Sequence, residues 1–166
     1  YLLDFKEGVT LYPMAPTPES PQYLPHARIL GLEADQDFGV SVLRYLDQEF
    51  ERRARLFKPY GDNILKYRKA NPDKKMPRIV LIIDEFHMML ENNKGSKAGS
   101  RAAELLERIV RRGRSYGVHV ILASQSISGI NTLITSGQGV FSQFPIRIGL
   151  KNSPKEAMST FGQNND

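Results

Sequence analysis

The stretch RIVLIIDEFHMM, residues 78–89, sets five aliphatic side chains in a row, Ile79 to Ile83, and ends them on two adjacent carboxylates, Asp84 and Glu85. A strand with one wet face alternates apolar and polar residues. An unbroken aliphatic run therefore predicts a strand, Arg78 to Ile83, covered on both faces, as strands of a parallel sheet are. In open sheets of that kind ligands bind beyond the carboxyl ends of the strands. The two acids stand where a functional site is expected, and a carboxylate buried there needs a partner, of which a hydrated metal ion is a common one.

The rest of the chain supplies the elements such a sheet requires. YLLDF at residues 1–5 reads as a short strand. Pro13, Pro16, Pro18, Pro21 and Pro25 then exclude a helix from Val9 to Gly31, leaving a surface connection with room for one short strand near Ala27 to Leu30. Asp35 offers an N-cap, after which Leu43, Leu46, Phe50 and Phe57 recur on one helical face. Glu49 with Arg53 and Glu51 with Arg55 stand four apart, a spacing that predicts pairing on the wet side. The helix should stop before Pro59 and Gly61, with a shorter one around Ile64 to Lys69. Beyond the central strand, Ala102, Leu105, Leu106, Ile109 and Val110 mark a helix whose exposed face would pair Glu104 with Arg108 and Glu107 with Arg111. VHVILAS is read as a second buried strand and IRIGL as a third. The order predicts a doubly wound α/β sheet.

Composition narrows the class without naming a function. Of 166 residues, 40% are hydrophobic and 25% charged, as in ordinary globular domains. There is no cysteine, which excludes disulfides and thiolate metal sites and fits a reducing, cytoplasmic compartment. His26, His87 and His119 lack metal-ligand spacing and are read as structural. No apolar run approaches the roughly 20 residues that span a bilayer. The net charge of +5 is compatible with an anionic partner and too common to identify one. The chain opens directly on an apolar strand and stops at FGQNND. The expectation is a piece of something longer, with residues 1–166 forming the C-terminal part of a single truncated domain.

Aliphatic residues followed by Asp-Glu match the Walker B element of P-loop ATPases, in which the Asp holds Mg²⁺ and the Glu polarises the attacking water. The alternative is a strand end bearing two solvated acids. The companion phosphate loop, G-x-x-x-x-G-K-[ST], does not occur in the sequence. KGSKAG, Lys94 to Gly99, has the wrong spacing and follows no strand. Either the chain is no nucleotide hydrolase or the loop precedes Tyr1.

Several stretches taken together, in order and over nearly the whole chain, resemble the FtsK/SpoIIIE motor ATPases, a RecA-like group that includes DNA translocases and type VII secretion motors. They are YLLDFKEGVTLYPM, VLRYLDQEFERRARLF, PRIVLIIDEFHMM, LLERIVRRGRSYGVHVILASQS and FPIRIGLKNSPKEAMSTFG. The resemblance implies an incomplete three-layer P-loop NTPase core with a mostly parallel sheet, whose phosphate loop lies before the element that begins this chain. It implies ATP and Mg²⁺ as cofactors. Asp84 matches the metal-holding Asp and Glu85 the catalytic Glu. Gln125 in LASQS matches the sensor Gln, the alternative being a polar strand terminus. Arg114 in RRGRSYG matches an arginine finger acting on a neighbouring subunit, although a cation near a helix C-terminus is also favourable in itself. Lys155 matches a second trans-acting basic position, and Arg147 a family arginine that braces the nucleotide site or pairs with an acid.

The same resemblance implies a homo-oligomeric ring, a hexamer, that binds and translocates double-stranded DNA, with any membrane anchor outside these residues. Ser126 and Ile127 stand where DNA-segregating members carry Arg-Pro, and this departure brings the secretion-type motors, which move polypeptides, into view as the alternative. The segment Ser126 to Gln143, which would face the central channel, holds no Lys or Arg, whereas a loop that grips phosphates usually carries some. A non-hydrolysing assembly module is the third reading. Residues 1–166 by themselves, without a phosphate loop, are expected not to hydrolyse ATP.

Overall fold

The aspartate at residue 35 caps a helix as its position suggests: Asp35 Oδ1 accepts from the Phe38 N–H at 2.7 Å, and α1 runs Gln36–Phe57. The computed structural model of the protein describes residues 1–91, 97–126, 143–151 and 153–161. Before α1 lie β1 (Leu2–Asp4), a 3₁₀ turn at Tyr12–Met14 and β2 (Leu30–Gly31). After it come α2 (Ile64–Ala70), β3 (Ile79–Asp84), α3 (Phe86–Leu90), α4 (Ala98–Tyr116) and β4 (Val118–Leu122), and then α5 (Pro154–Phe161).

The four strands form one sheet in the order β2-β1-β3-β4, and every pairing is parallel. Leu3 pairs with Ile83 and Ile83 with Leu122, so one row of aliphatic side chains crosses the sheet. This row meets the apolar stripes of α1 and α4. Leu43, Leu46 and Phe50 of α1 and Leu105, Leu106 and Ile109 of α4 are buried with Leu3, Leu81 and Ile83 in a single core, each contributing about 1.5–3 kcal/mol of burial. Phe57 belongs to a satellite cluster with Ile64, Tyr67 and Met76. α4 ends at Gly117, whose φ of +74° is the left-handed conformation that glycine adopts without strain.

Five expectations are corrected. Val80 and Ile121 are 42% and 52% exposed, so β3 and β4 are not covered on both faces by the described residues, because the apolar rows of α1 and α4 gather on Leu3, Leu81 and Ile83. IRIGL is not a strand: nothing pairs with it among the described residues, and Ile146, Ile148 and Leu150 are 79%, 84% and 87% exposed. A strand without a neighbour has no hydrogen-bond ladder to hold it. Arg53 is not on the wet side but only 2% exposed, while Glu51 pairs with Arg112 rather than Arg55. On α4, Glu107 pairs with Arg111, but Glu104 takes Arg101 and Arg108 takes Asp47 of α1. Spacing permits an i,i+4 pair; neighbouring helices offer competing partners.

Candidate active site

The parallel register brings Asp4 of β1 opposite Asp84 of β3, so two carboxylates from distant parts of the sequence share one end of the sheet. They stand at the carboxyl ends of their strands, beside a cleft of about 450 Å³ lined also by Lys6, Glu85, Ser124 and Gln125. Asp4 is 2% exposed and its Oδ1 accepts from the Lys6 N–H at 2.9 Å. Asp84 Oδ1 accepts from the Glu85 N–H at 3.0 Å. Glu7 completes the acidic lining, against the single ammonium of Lys6. The formal charge of the lining is negative, which suits a cation and repels an uncompensated anion.

Glu85 ends the strand through its backbone. Its φ of 49° and ψ of 43° place it in the left-handed region, and it is the one non-glycine residue with positive φ among those described. Such a conformation costs on the order of 1 kcal/mol or more and is retained where the surroundings fix it. Here the turn passes the chain directly from β3 into α3 with Glu85 at the N-cap position. The residue is 4% exposed. Its Oε2 accepts from the Gln125 N–H at 3.3 Å and lies 3.2 Å from Nδ1 of His87. The β3–β4 ladder continues past the strand ends, Ala123 N–H donating to Ile83 O at 2.9 Å and Phe86 N–H to Ala123 O at 3.2 Å, and this holds Gln125 against Glu85. The side chain of Gln125 turns to the cleft, where Oε1 accepts from Lys6 Nζ at 3.3 Å.

Of the residues singled out from sequence, the structure thus gathers Asp84, Glu85 and Gln125. Arg114 stands in the last turn of α4, at the opposite end of the sheet, since β4 begins at Val118 and reaches the cleft only after Leu122. Arg147 lies away from the cleft lining, donating through Nη1 to Thr160 O at 2.9 Å and through Nε to Phe144 O at 3.3 Å. Lys155 is in the first turn of α5; its side chain lies outside the described residues, as does most of the segment Ser126 to Gln143. Sequence reasoning missed Asp4, Lys6, His87 and Ser124. The available signal was that DFK follows an apolar pair as DEF follows an aliphatic run, two strand ends of similar form.

No family model matches the chain. It is 30% identical over 139 residues to the ESX secretion system protein YukB of Bacillus subtilis (strain 168), covering 78% of this chain and 8% of that protein. It is 28% identical over 160 residues to the DNA translocase FtsK of Pseudomonas aeruginosa, covering 80% of this chain and 18% of that protein. Among solved structures, the cytoplasmic domain of the Thermomonospora curvata type VII secretion ATPase EccC superimposes with a TM-score of 0.72 at 29% identity, over 97% of this chain and 18% of that one. The chain therefore spans under a fifth of the length of each of these proteins. The chain is thus similar in sequence to both a secretion-system protein and a DNA translocase, and in fold to a secretion ATPase, and it belongs to the FtsK/SpoIIIE family of motor domains.

Proposed function

We propose that the chain is the Walker B half of an ATP-driven ring motor, with Glu85 as the general base of hydrolysis. The observation that carries this reading is the junction of Glu85 with the end of β4: a buried carboxylate holds the backbone of Gln125 at 3.3 Å beside Asp84 and an open cleft. Glu85 would take the proton of the water that attacks the terminal phosphorus, and the Gln125 amide would orient that water. Among the described residues no group of three or more His, Asp or Glu side chains is placed to hold a metal ion by itself. The arrangement fits Mg²⁺, which keeps most of its waters and binds through one or two carboxylates plus substrate phosphates. Asp84 would hold it, and the ion would offset phosphate charge in a cleft whose own lining is acidic. Arg114 and Lys155 would act on the cleft of a neighbouring subunit, and Arg147 would brace the segment after β4 behind the nucleotide.

For the cargo, the absence of Lys and Arg from Ser126 to Gln143 favours a polypeptide, as does the likeness to secretion-system proteins across most of the chain. Double-stranded DNA is the second reading, supported by the likeness to FtsK and by the net charge of +5. The test is ATP turnover by the full-length protein. Glu85→Gln should lower kcat by about 10²–10⁴-fold while nucleotide still binds; unchanged turnover would sink the reading. Stimulation by a secreted polypeptide and not by duplex DNA supports the first cargo, and the reverse result the second.

A further inference from the structure

We propose that His87 is the positioning residue of Glu85, fixing one carboxylate oxygen so that the other is presented to the cleft. This rests on the reading of Glu85 as the base. His87 lies in the first turn of α3, two residues beyond Glu85. Its Nδ1 is 3.2 Å from Glu85 Oε2 and 2.8 Å from Ser124 Oγ, so one ring nitrogen faces two oxygens. The remaining bonds decide where the proton is. Ser124 donates its single hydroxyl proton to Ser126 O, and its oxygen accepts from the Ser126 N–H at 3.3 Å. An ionised carboxylate only accepts. Neither neighbour has a proton for Nδ1, so Nδ1 carries the hydrogen and shares it between Oε2 and Oγ, which fixes the tautomer of the ring.

The consequence for Glu85 is an asymmetry. Oε2 has two donors, the Gln125 N–H and the His87 Nδ1–H. Oε1 has no partner among the described residues, and none of their buried side-chain oxygens is left unbonded, so Oε1 is open to the cleft. A glutamate has three side-chain torsions, and a base that wanders by about 1 Å loses on the order of 10²-fold in rate. Two donors on one oxygen remove that freedom. The same shared proton ties the base to the tip of the sensor strand. Ser126 in turn donates to Glu156 Oε1 of α5 at 2.7 Å, so a shift of α5 or of the β4 tip would reach Glu85 through His87.

The experiment compares His87→Ala, His87→Asn and Glu85→Gln in the full-length protein, with kcat and KM for ATP and the affinity for a fluorescent ATP analogue. Asparagine places an N–H close to that of Nδ1 and alanine offers none. His87→Ala should lower kcat about 10- to 100-fold with KM and affinity within about twofold, and His87→Asn should recover kcat to within about threefold of the parent. In the Glu85→Gln background, His87→Ala should cause no further loss. If Glu85→Gln abolishes turnover while His87→Ala leaves kcat unchanged, or if His87→Asn is as impaired as His87→Ala, the positioning role is overturned and the base assignment survives. If Glu85→Gln leaves turnover intact, the base assignment fails and this inference with it. Should His87→Ala not fold, His87→Phe keeps a ring without the donor and is read against His87→Asn in the same way.

Discussion

The guanidinium of Arg53 joins α1 to the last carbonyl of α4: Nη1 donates to Tyr116 O at 2.7 Å. Nη2 donates to Pro77 O at 3.0 Å, just before β3, and Nε to Glu49 Oε1 at 2.8 Å. One buried side chain thus satisfies a helix C-terminus and the entry to the strand that carries Asp84 and Glu85, as orphan carbonyls at a helix end require. Arg53→Met keeps much of the stem volume and leaves both carbonyls without a donor. We expect a loss of about 2–5 kcal/mol in urea denaturation. A change under about 0.5 kcal/mol would mean that water replaces the guanidinium at no cost.

Glu49 sits between two arginines, and its carboxyl is held below the usual range. The hydrogen bond from Arg52 is the first cause; burial works the other way, and Arg53 adds to the lowering. A carboxyl whose folded value is depressed binds fewer protons folded than unfolded, so its contribution is fully present above the unfolded value of about 4.3 and is lost as pH falls through the folded one. Glu49→Gln should therefore be less stable than the parent at neutral pH and show a flatter decline below about pH 4.3. Thermal melts between about pH 3 and 7 check this; parallel curves for the two proteins would contradict it.

What could be read from the sequence was local. The Asp35 cap and the Leu43, Leu46, Phe50 stripe depend on neighbours within two turns, and both stand in the structure. The Asp84–Glu85 pair is contiguous, and a run of five aliphatic residues fixes which end of the strand it occupies. Arg53 was misread because helical spacing gives direction around the axis and not depth; the carbonyls of Tyr116 and Pro77 that make its burial tolerable are 63 and 24 residues away. The facing of Asp4 with Asp84 and the meeting of Lys6 with Gln125 need the parallel register of three strands. The approach of His87 to Glu85 needs the left-handed turn at Glu85, a conformation that a glutamate does not announce.

Arg114 offers the sharpest test of assembly. Its neighbours are engaged: Arg108 with Asp47, Arg111 with Glu107, and Arg112 with Glu51 and over the rings of Phe50 and Tyr116. Arg114 is exposed and makes no side-chain hydrogen bond or ion pair among the described residues. From the start of β4 to Gln125 the chain rises roughly 20 Å at about 3.3 Å per residue, beyond the reach of an arginine, so Arg114 cannot enter the cleft of its own subunit. If it serves a neighbour's cleft, Arg114→Ala should lower kcat by about 10³-fold or more and leave nucleotide affinity within about twofold, since the guanidinium meets charge that develops only in the transition state. Mixing then decides the geometry. A subunit carrying Arg114→Ala retains Glu85, and one carrying Glu85→Gln retains Arg114, so a mixed ring contains interfaces with both intact. Two inactive proteins that co-assemble should regain measurable turnover; co-assembly without recovery would show that Arg114 does not act across the interface.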